Sequence, residues 1–105
     1  MGEFVSVAKE QDLNEGKGLA VKVNKDLEMA LFKIGDKIYA IEEHCAHQGG
    51  PLSEGTVQDF VVTCPWHQMT YDIRTGKAAP DAWDQEYSVK AFNVKVENGE
   101  IKVEV

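Results

Sequence analysis

The chain has 105 residues and a mass of 11.7 kDa, which predicts a single domain, residues 1–105, long enough to bury a core. Its 43% hydrophobic and 28% charged residues exclude a disordered or fibrous protein. The net charge of -7 argues against nucleic acid or an anionic membrane as partner and favours a partner with a basic patch. The chain starts with MGEFVSVAKEQ, which does not resemble a signal peptide, and has two cysteines, so we expect a soluble, reduced, cytoplasmic protein.

Apolar residues recur at every second position along most of the chain, which predicts β-strands. The first alternating segment covers residues 19–23. A denser apolar run at 29–34 is followed by Gly35-Asp36 and by a further apolar segment at 38–41. This order predicts a β-hairpin that turns at Gly35-Asp36.

The C-terminal part of the chain carries a second hairpin signal. Residues 92–96 and 101–105 alternate in polarity, and Asn98-Gly99 lies between them. Upstream, apolar residues occupy odd positions from Tyr87 to Ala91, whereas they occupy even positions from Phe92 to Val96. This change of phase predicts a bulge or bend between Ala91 and Phe92.

Residues 44 to about 80 differ from both flanks, since they hold every cysteine, every histidine and every proline. Glycines divide this stretch into short pieces, which predicts loops and small strands. We therefore expect an all-β protein: an antiparallel sandwich or barrel base, about 1–43 and 81–105, with a small inserted subdomain at about 44–80.

The candidate metal ligands form two mixed pairs, Cys45-x-His47 and Cys64-x-x-His67, and His44 is a spare. Each pair offers one thiolate and one imidazole, so the four residues can complete a metal site. A structural zinc site is one alternative, but zinc fingers group like ligands together, and here every pair is mixed.

The motifs CAH and CPWH together resemble the Rieske [2Fe–2S] signature, CxH followed by CxxH, in which two histidines replace two cysteines on one iron. The similarity extends to LSEGTV at 52–57, to TYDIRTGKA at 70–78 and to the pattern of strands. The sequence is thus similar to small Rieske-type ferredoxins over nearly all of its length.

The resemblance implies a Rieske-like base with an inserted cluster-binding subdomain and one [2Fe–2S] cluster per chain. Cys45 and Cys64 would hold the inner iron, and His47 and His67 would hold the outer iron near the surface. A third loop with proline would cover the cluster, and residues 77–80 occupy its place, although Pro80 could equally be an ordinary loop breaker.

The chain departs from the high-potential Rieske proteins at three positions. Gly50 and Trp66 stand where those relatives carry a disulfide that links the ligand loops. Trp66 could support the loops by packing or could contact a partner. Of two hydroxyl residues that donate to cluster sulfurs in those relatives, this chain has Met69 in place of the serine and retains Tyr71.

The resemblance implies a soluble, monomeric one-electron carrier between a flavin-containing reductase and a terminal oxygenase. A second hypothesis is a Rieske small subunit of a larger reductase, similar to that of assimilatory nitrite reductase. No catalytic constellation is seen outside the ligand set, so we expect an electron-transfer protein and not an enzyme.

Acidic residues flank the ligand segments in the sequence. They form either a solvated face or a surface that steers the protein toward basic partners. These residues are Glu42, Glu43, Asp81, Asp84 and Glu86.

Overall fold

The computed structural model describes residues 3–25, 27–35, 37–44, 50–66, 68–80, 82 and 86–104. These residues form ten β-strands in three antiparallel sheets, with two single-turn 3-10 helices at Glu10–Asp12 and Leu52–Glu54. The predicted all-β antiparallel fold is confirmed. Within these ranges, no helix has the length and apolar character needed to cross a membrane.

The first sheet joins the two ends of the chain, in the order β1-β10-β9. Its strands are β1 (Phe4–Lys9), β9 (Val94–Glu97) and β10 (Glu100–Glu104). The predicted C-terminal hairpin is confirmed, because β9 pairs with β10 through a turn at Asn98 and Gly99, which have φ of 53° and 79°. Sequence analysis did not predict β1.

The second sheet has the order β2-β3-β4-β8. Its strands are β2 (Gly18–Asn24), β3 (Leu27–Ile34), β4 (Lys37–Glu42) and β8 (Ala91–Phe92). The predicted first hairpin is confirmed, since Ile34 at the end of β3 pairs with Lys37 at the start of β4.

Strand β3 is buried on both faces. Met29 and Leu31 pack into a core between the first two sheets, together with Ile101 of β10. Ala30 and Phe32 point to the opposite side, into a second core. A strand covered on both faces has no polar face, which explains the continuous apolar run in its sequence.

The third sheet, β5-β6-β7, is built from one continuous part of the chain. Its strands are β5 (Thr56–Gln58), β6 (Val61–Thr63) and β7 (Thr70–Asp72). Val62 and Tyr71 from this sheet pack against Ala30 and Phe32 of β3. The third sheet therefore sits on the outer face of β3, and the second core lies between them.

The change of polarity phase near Ala91 has a structural basis. β8 pairs with β4 of the second sheet, whereas β9 pairs with β10 of the first, and Asn93 separates the two strands. Ala91 and Phe92 pair in regular register with Ile41 and Ala40, so the predicted bulge is not present between them. Val89 packs in the second core, whereas Phe92 and Val94 both pack against the core between the first two sheets, so the change of parity comes before the change of sheet at Asn93.

Candidate metal centre

The second predicted ligand segment is the connection between β6 and β7. Thr63 pairs with Thr70, and the N–H of Cys64 donates to the carbonyl of Met69 at 2.7 Å. Within this connection, the N–H of Trp66 donates to Sγ of Cys64 at 3.4 Å. The loop is thus closed at its base, and one of its own amides points at the thiol sulfur.

Cys64 is fully buried in the second core. Leu52, Met69 and Tyr71, each also fully buried, belong to the same core. Val62 of β6 is fully buried, and Cys64, two positions later, lies on the same face, so the end of β6 directs its thiol to the interior. This position excludes water from the sulfur.

The two stems of the first predicted ligand segment, which are the residues just before and just after it, lie side by side. His44 forms an antiparallel bridge with Pro51, and the N–H of Leu52 donates to the carbonyl of Glu43 at 2.7 Å. The chain therefore leaves the end of β4 and returns beside it. Cys45 and His47 lie within this loop but outside the described residues, as does His67 of the second segment.

The first segment meets the second at Gly50. A β-carbon built on Gly50 would lie 2.8 Å from Sγ of Cys64 and 3.1 Å from Cβ of Trp66. Only glycine leaves room at such an approach, since real Cβ contacts are longer. The two predicted ligand segments, separated by a strand pair in the sequence, are brought into contact here.

The segment at residues 77–80 runs beside the second ligand segment. Ala78 bridges to Tyr71, and the N–H of Ala79 donates to the carbonyl of Thr70 at 3.0 Å. Ala79 is buried, whereas Pro80 is exposed. All three segments singled out by the sequence therefore converge on one end of the third sheet.

The thiol surroundings fit an iron–sulfur ligand. The sulfur of Cys64 is buried, receives a backbone N–H and faces a glycine with no side chain. A thiolate is the ligand form of cysteine, and an N–H donated to it stabilises the negative charge.

His44 is the spare histidine. Its Nε2 lies 3.0 Å from Oε1 of Glu28, a residue of β3.

Glu43, one of the acidic residues next to the ligand segments, is not a surface residue. Glu43 is only 5% exposed, and its carboxylate accepts two hydrogen bonds from Ser53. Both interpretations of Glu43, as part of a solvated face and as part of a steering surface, are therefore wrong. Asp81 and Asp84 lie outside the described residues, and Glu86 is exposed.

Sequence analysis missed the role of Ser53. Ser53 lies in the motif LSEGTV at 52–57, and a serine in such a polar segment is usually a turn residue. The sequence carries no signal for this role, because it depends on the burial of Ser53 and Leu52, which only the structure shows.

Trp66 is half-exposed, at 50% of its full surface, although its Cβ and Cγ lie against Gly50. The packing interpretation of Trp66 therefore holds for the base of its side chain, and contact with a partner stays a prediction. The base of the side chain fills the space beside Gly50, and half of the surface remains open to solvent.

The turn after β7 is held by an ion pair. Asp72 accepts hydrogen bonds from the backbone N–H of Arg74 at 2.8 Å and from its Nε and Nη2 at 3.0 and 2.9 Å. The guanidinium also stacks over the ring of Phe60, 4.6 Å from its centroid. The hydrogen bonds from Arg74 lower the pKa of the Asp72 carboxyl. This turn leads directly to the third segment, residues 77–80.

The chain is similar to known proteins of the Rieske type. The family model described as the Rieske [2Fe-2S] domain matches residues 3–93. The ferredoxin subunit of anthranilate 1,2-dioxygenase from Burkholderia cepacia is 37% identical over 86 residues, which cover 82% of this chain and 78% of that protein.

Solved structures of ferredoxins are also similar to this chain. The ferredoxin of carbazole 1,9a-dioxygenase from Nocardioides aromaticivorans superposes with a TM-score of 0.86 and 31% identity over 95% of both chains. A ferredoxin in the complex of reduced oxygenase and oxidized ferredoxin of carbazole 1,9a-dioxygenase matches with a TM-score of 0.86 and 30% identity, covering 95% of this chain and 91% of that one. The small subunit of a putative nitrite reductase from Mycobacterium tuberculosis has a TM-score of 0.86 over 98% and 95% of the two chains, but its 22% identity supports likeness of fold alone.

Proposed function

Because the chain belongs to the Rieske [2Fe–2S] domain family, we propose that it carries single electrons from a flavin-containing reductase to a terminal oxygenase. The observation that carries this proposal is that relatives at least 30% identical are named as ferredoxin components of dioxygenase systems. The chain is an electron-transfer protein and holds a Rieske-type [2Fe–2S] cluster.

The proposed ligands are Cys45 and Cys64 on the inner iron and His47 and His67 on the outer iron. When bound, the cluster takes up and releases one electron. The buried thiol of Cys64 and the N–H of Trp66 directed at it support this assignment. Sulfur ligands in the interior and histidines toward the surface would give electrons a path out through the imidazole edges.

The core around Cys64 limits the access of water to the inner side of the site. Leu52, Met69 and Tyr71 are completely buried beside it. A dry, rigid environment requires less solvent rearrangement when charge changes, which favours rapid electron transfer. We place this site in the inserted subdomain, about 44–80, on a base formed by about 1–43 and 81–105.

We propose that the oxygenase docks on the end of the molecule that carries Trp66. This half-exposed aromatic ring adjoins the predicted ligand His67 in the sequence, so a protein covering it would lie close to the electron. Aromatic residues are enriched in the centres of protein interfaces. The net charge of -7 favours a docking surface with basic residues.

Stopped-flow mixing tests the proposal. The chain is reduced, freed of reductant and mixed with the oxidised oxygenase component of an aromatic-ring dioxygenase, and reoxidation is followed in the visible spectrum. We expect reoxidation within the turnover time of the oxygenase and a rate that falls with added salt. Trp66→Ala should slow it and Trp66→Phe should slow it less, with the reduction potential of both close to that of the wild type.

Two other results would overturn the proposal. Tight co-purification with a large redox subunit, with no reoxidation by an oxygenase, would favour the alternative of a small subunit in a multi-subunit reductase. A colourless protein that contains zinc would identify a structural zinc module. We further propose that the carrier acts in the cytoplasm and is a monomer. Sedimentation of the holoprotein tests the monomeric state.

A further inference from the structure

We propose that Glu43 and Ser53 are positioning residues that hold the first ligand loop closed without a covalent cross-link. The proposal rests on the proposed function, in that residues 45–49 of this loop include the proposed ligands Cys45 and His47. Neither Glu43 nor Ser53 is a proposed ligand. Their role is to fix the two stems of the loop relative to each other and to the base.

The hydrogen bonds of Glu43 span the loop from one stem to the other. Its Oε1 accepts the N–H of Ser53 at 3.0 Å, and its Oε2 accepts the hydroxyl of Ser53 at 2.8 Å. Its own carbonyl accepts the N–H of Leu52 at 2.7 Å. Three hydrogen bonds therefore join the residue before the loop to the turn after it.

Each side of this closure is attached to the base. The N–H of Glu43 donates to the carbonyl of Glu28 in β3 at 3.1 Å. On the other stem, Ser53 lies against Gly18 of β2, where a β-carbon would come within 2.7 Å of the Ser53 Cα. Leu52 is fully buried in the second core. Each stem is therefore hydrogen-bonded to, or packed against, a strand of the second sheet.

The chemistry of the pair suits a positioning role. A carboxylate that accepts two hydrogen bonds from one residue fixes distance and orientation together, and charge-assisted bonds are stronger than neutral ones. Glu43 is 5% and Ser53 is 8% exposed, so water competes little for these bonds. A buried carboxylate that lost its donors would be costly, which makes the closed arrangement strongly preferred.

The test compares Ser53→Ala with Ser53→Thr in the full-length holoprotein. Alanine removes the hydroxyl donor to Oε2 and keeps the backbone donor, while threonine restores a hydroxyl. We measure loss of the visible cluster absorbance in excess EDTA under native conditions, and the electron paramagnetic resonance spectrum of the reduced protein. A lost hydrogen bond to a charged group predicts release about tenfold faster in Ser53→Ala, with broadened resonances, and near-wild-type behaviour in Ser53→Thr.

Val103→Ala is the matched control, because Val103 is fully buried in the other core, away from the loop. It should lower the temperature of thermal unfolding without a comparable change in cluster release or resonance line shape. Glu43→Leu, which removes all acceptor atoms of the side chain, should exceed the effect of Ser53→Ala. If Ser53→Ala releases the cluster as slowly as the wild type, or if Val103→Ala releases it equally fast, the positioning role is wrong.

These readouts need no partner protein. If the wild type fails to reduce an oxygenase but Ser53→Ala still accelerates cluster release, the carrier function is wrong and the positioning role stands.

Discussion

Gly50 approaches Cys64 so closely that a β-carbon on the glycine would lie 2.8 Å from the thiol sulfur. This contact joins the two segments that carry the proposed ligands. Gly50 and Trp66 stand at the two positions at which high-potential Rieske proteins have the cysteines of a disulfide. A β-carbon on Gly50 would also lie 3.1 Å from Cβ of Trp66, so a larger residue at position 50 would meet the tryptophan. Here the tryptophan occupies the adjoining space, and the cross-link is absent.

Gly50→Ala should reduce both cluster retention and stability. The added methyl group would meet the sulfur of Cys64 and the Cγ of Trp66, the latter at 3.0 Å, and overpacking of this kind costs about 1–3 kcal/mol. The ratio of visible to ultraviolet absorbance of the purified protein reports the cluster content, and chemical denaturation reports the stability.

Gly16→Ala is the control for the previous substitution. Gly16 has a φ of 77°, but a β-carbon there would meet nothing within 4 Å. Alanine at this position should cost about 1 kcal/mol through backbone strain and leave cluster content unchanged. Equal cluster content in the wild type, Gly50→Ala and Gly16→Ala would show that the close approach to Cys64 has no importance for the site.

Tyr71→Phe should lower the reduction potential. Tyr71 is fully buried in the same core as Cys64, and by resemblance its hydroxyl donates to a cluster sulfur, which stabilises the reduced state. Such a bond contributes about 1.5–3 kcal/mol, equivalent to roughly 65–130 mV for one electron. Protein-film voltammetry measures the shift, with Tyr39→Phe as the control. An unchanged potential in Tyr71→Phe would refute the assigned role of this hydroxyl.

Asp72→Asn should destabilise the protein near neutral pH and lose this effect in acid. Arg74 lowers the pKa of the Asp72 carboxyl in the folded state, so the stabilisation is present above the unfolded-state pKa. It disappears as the pH falls through the lower, folded-state pKa. Half of the Arg74 side chain is exposed, so the difference should be small.

Urea unfolding of the wild type and Asp72→Asn at a series of pH values measures this difference. The two free energies of unfolding should converge as the carboxylate of the wild type becomes protonated. A difference that stays constant from neutral to strongly acidic pH would mean that the Asp72–Arg74 charge interaction does not stabilise the turn.

Much of the fold could be predicted because its signals are local. The turn signal Gly35-Asp36 lies between two apolar segments, the turn signal Asn98-Gly99 lies between two alternating segments, and both hairpins are present. β1 was missed because its strand identity depends on pairing with β10 at the far end of the chain. The change of sheet at Asn93 was not predicted, because Phe92 and Val94 on either side of it keep the same phase.

The type of cluster could be predicted from the sequence, but the side chains that support the site could not. The mixed spacing of cysteine and histidine predicts the proposed ligands, because few other sites need those residue types in that order. Glu43 was misjudged because a glutamate beside another acidic residue usually faces solvent. Its burial depends on Ser53, ten positions away, and on a turn seated against β2.

The most direct test of the central claim is pulsed electron paramagnetic resonance of the dithionite-reduced protein labelled with 15N-histidine. The chain has three histidines, and we expect a low average g value together with strong coupling to nitrogens of two of them. His44→Ala should retain both couplings, because His44 is the spare. An average g typical of an all-cysteine [2Fe–2S] site, or a spectrum without histidine nitrogen couplings, would contradict ligation by His47 and His67.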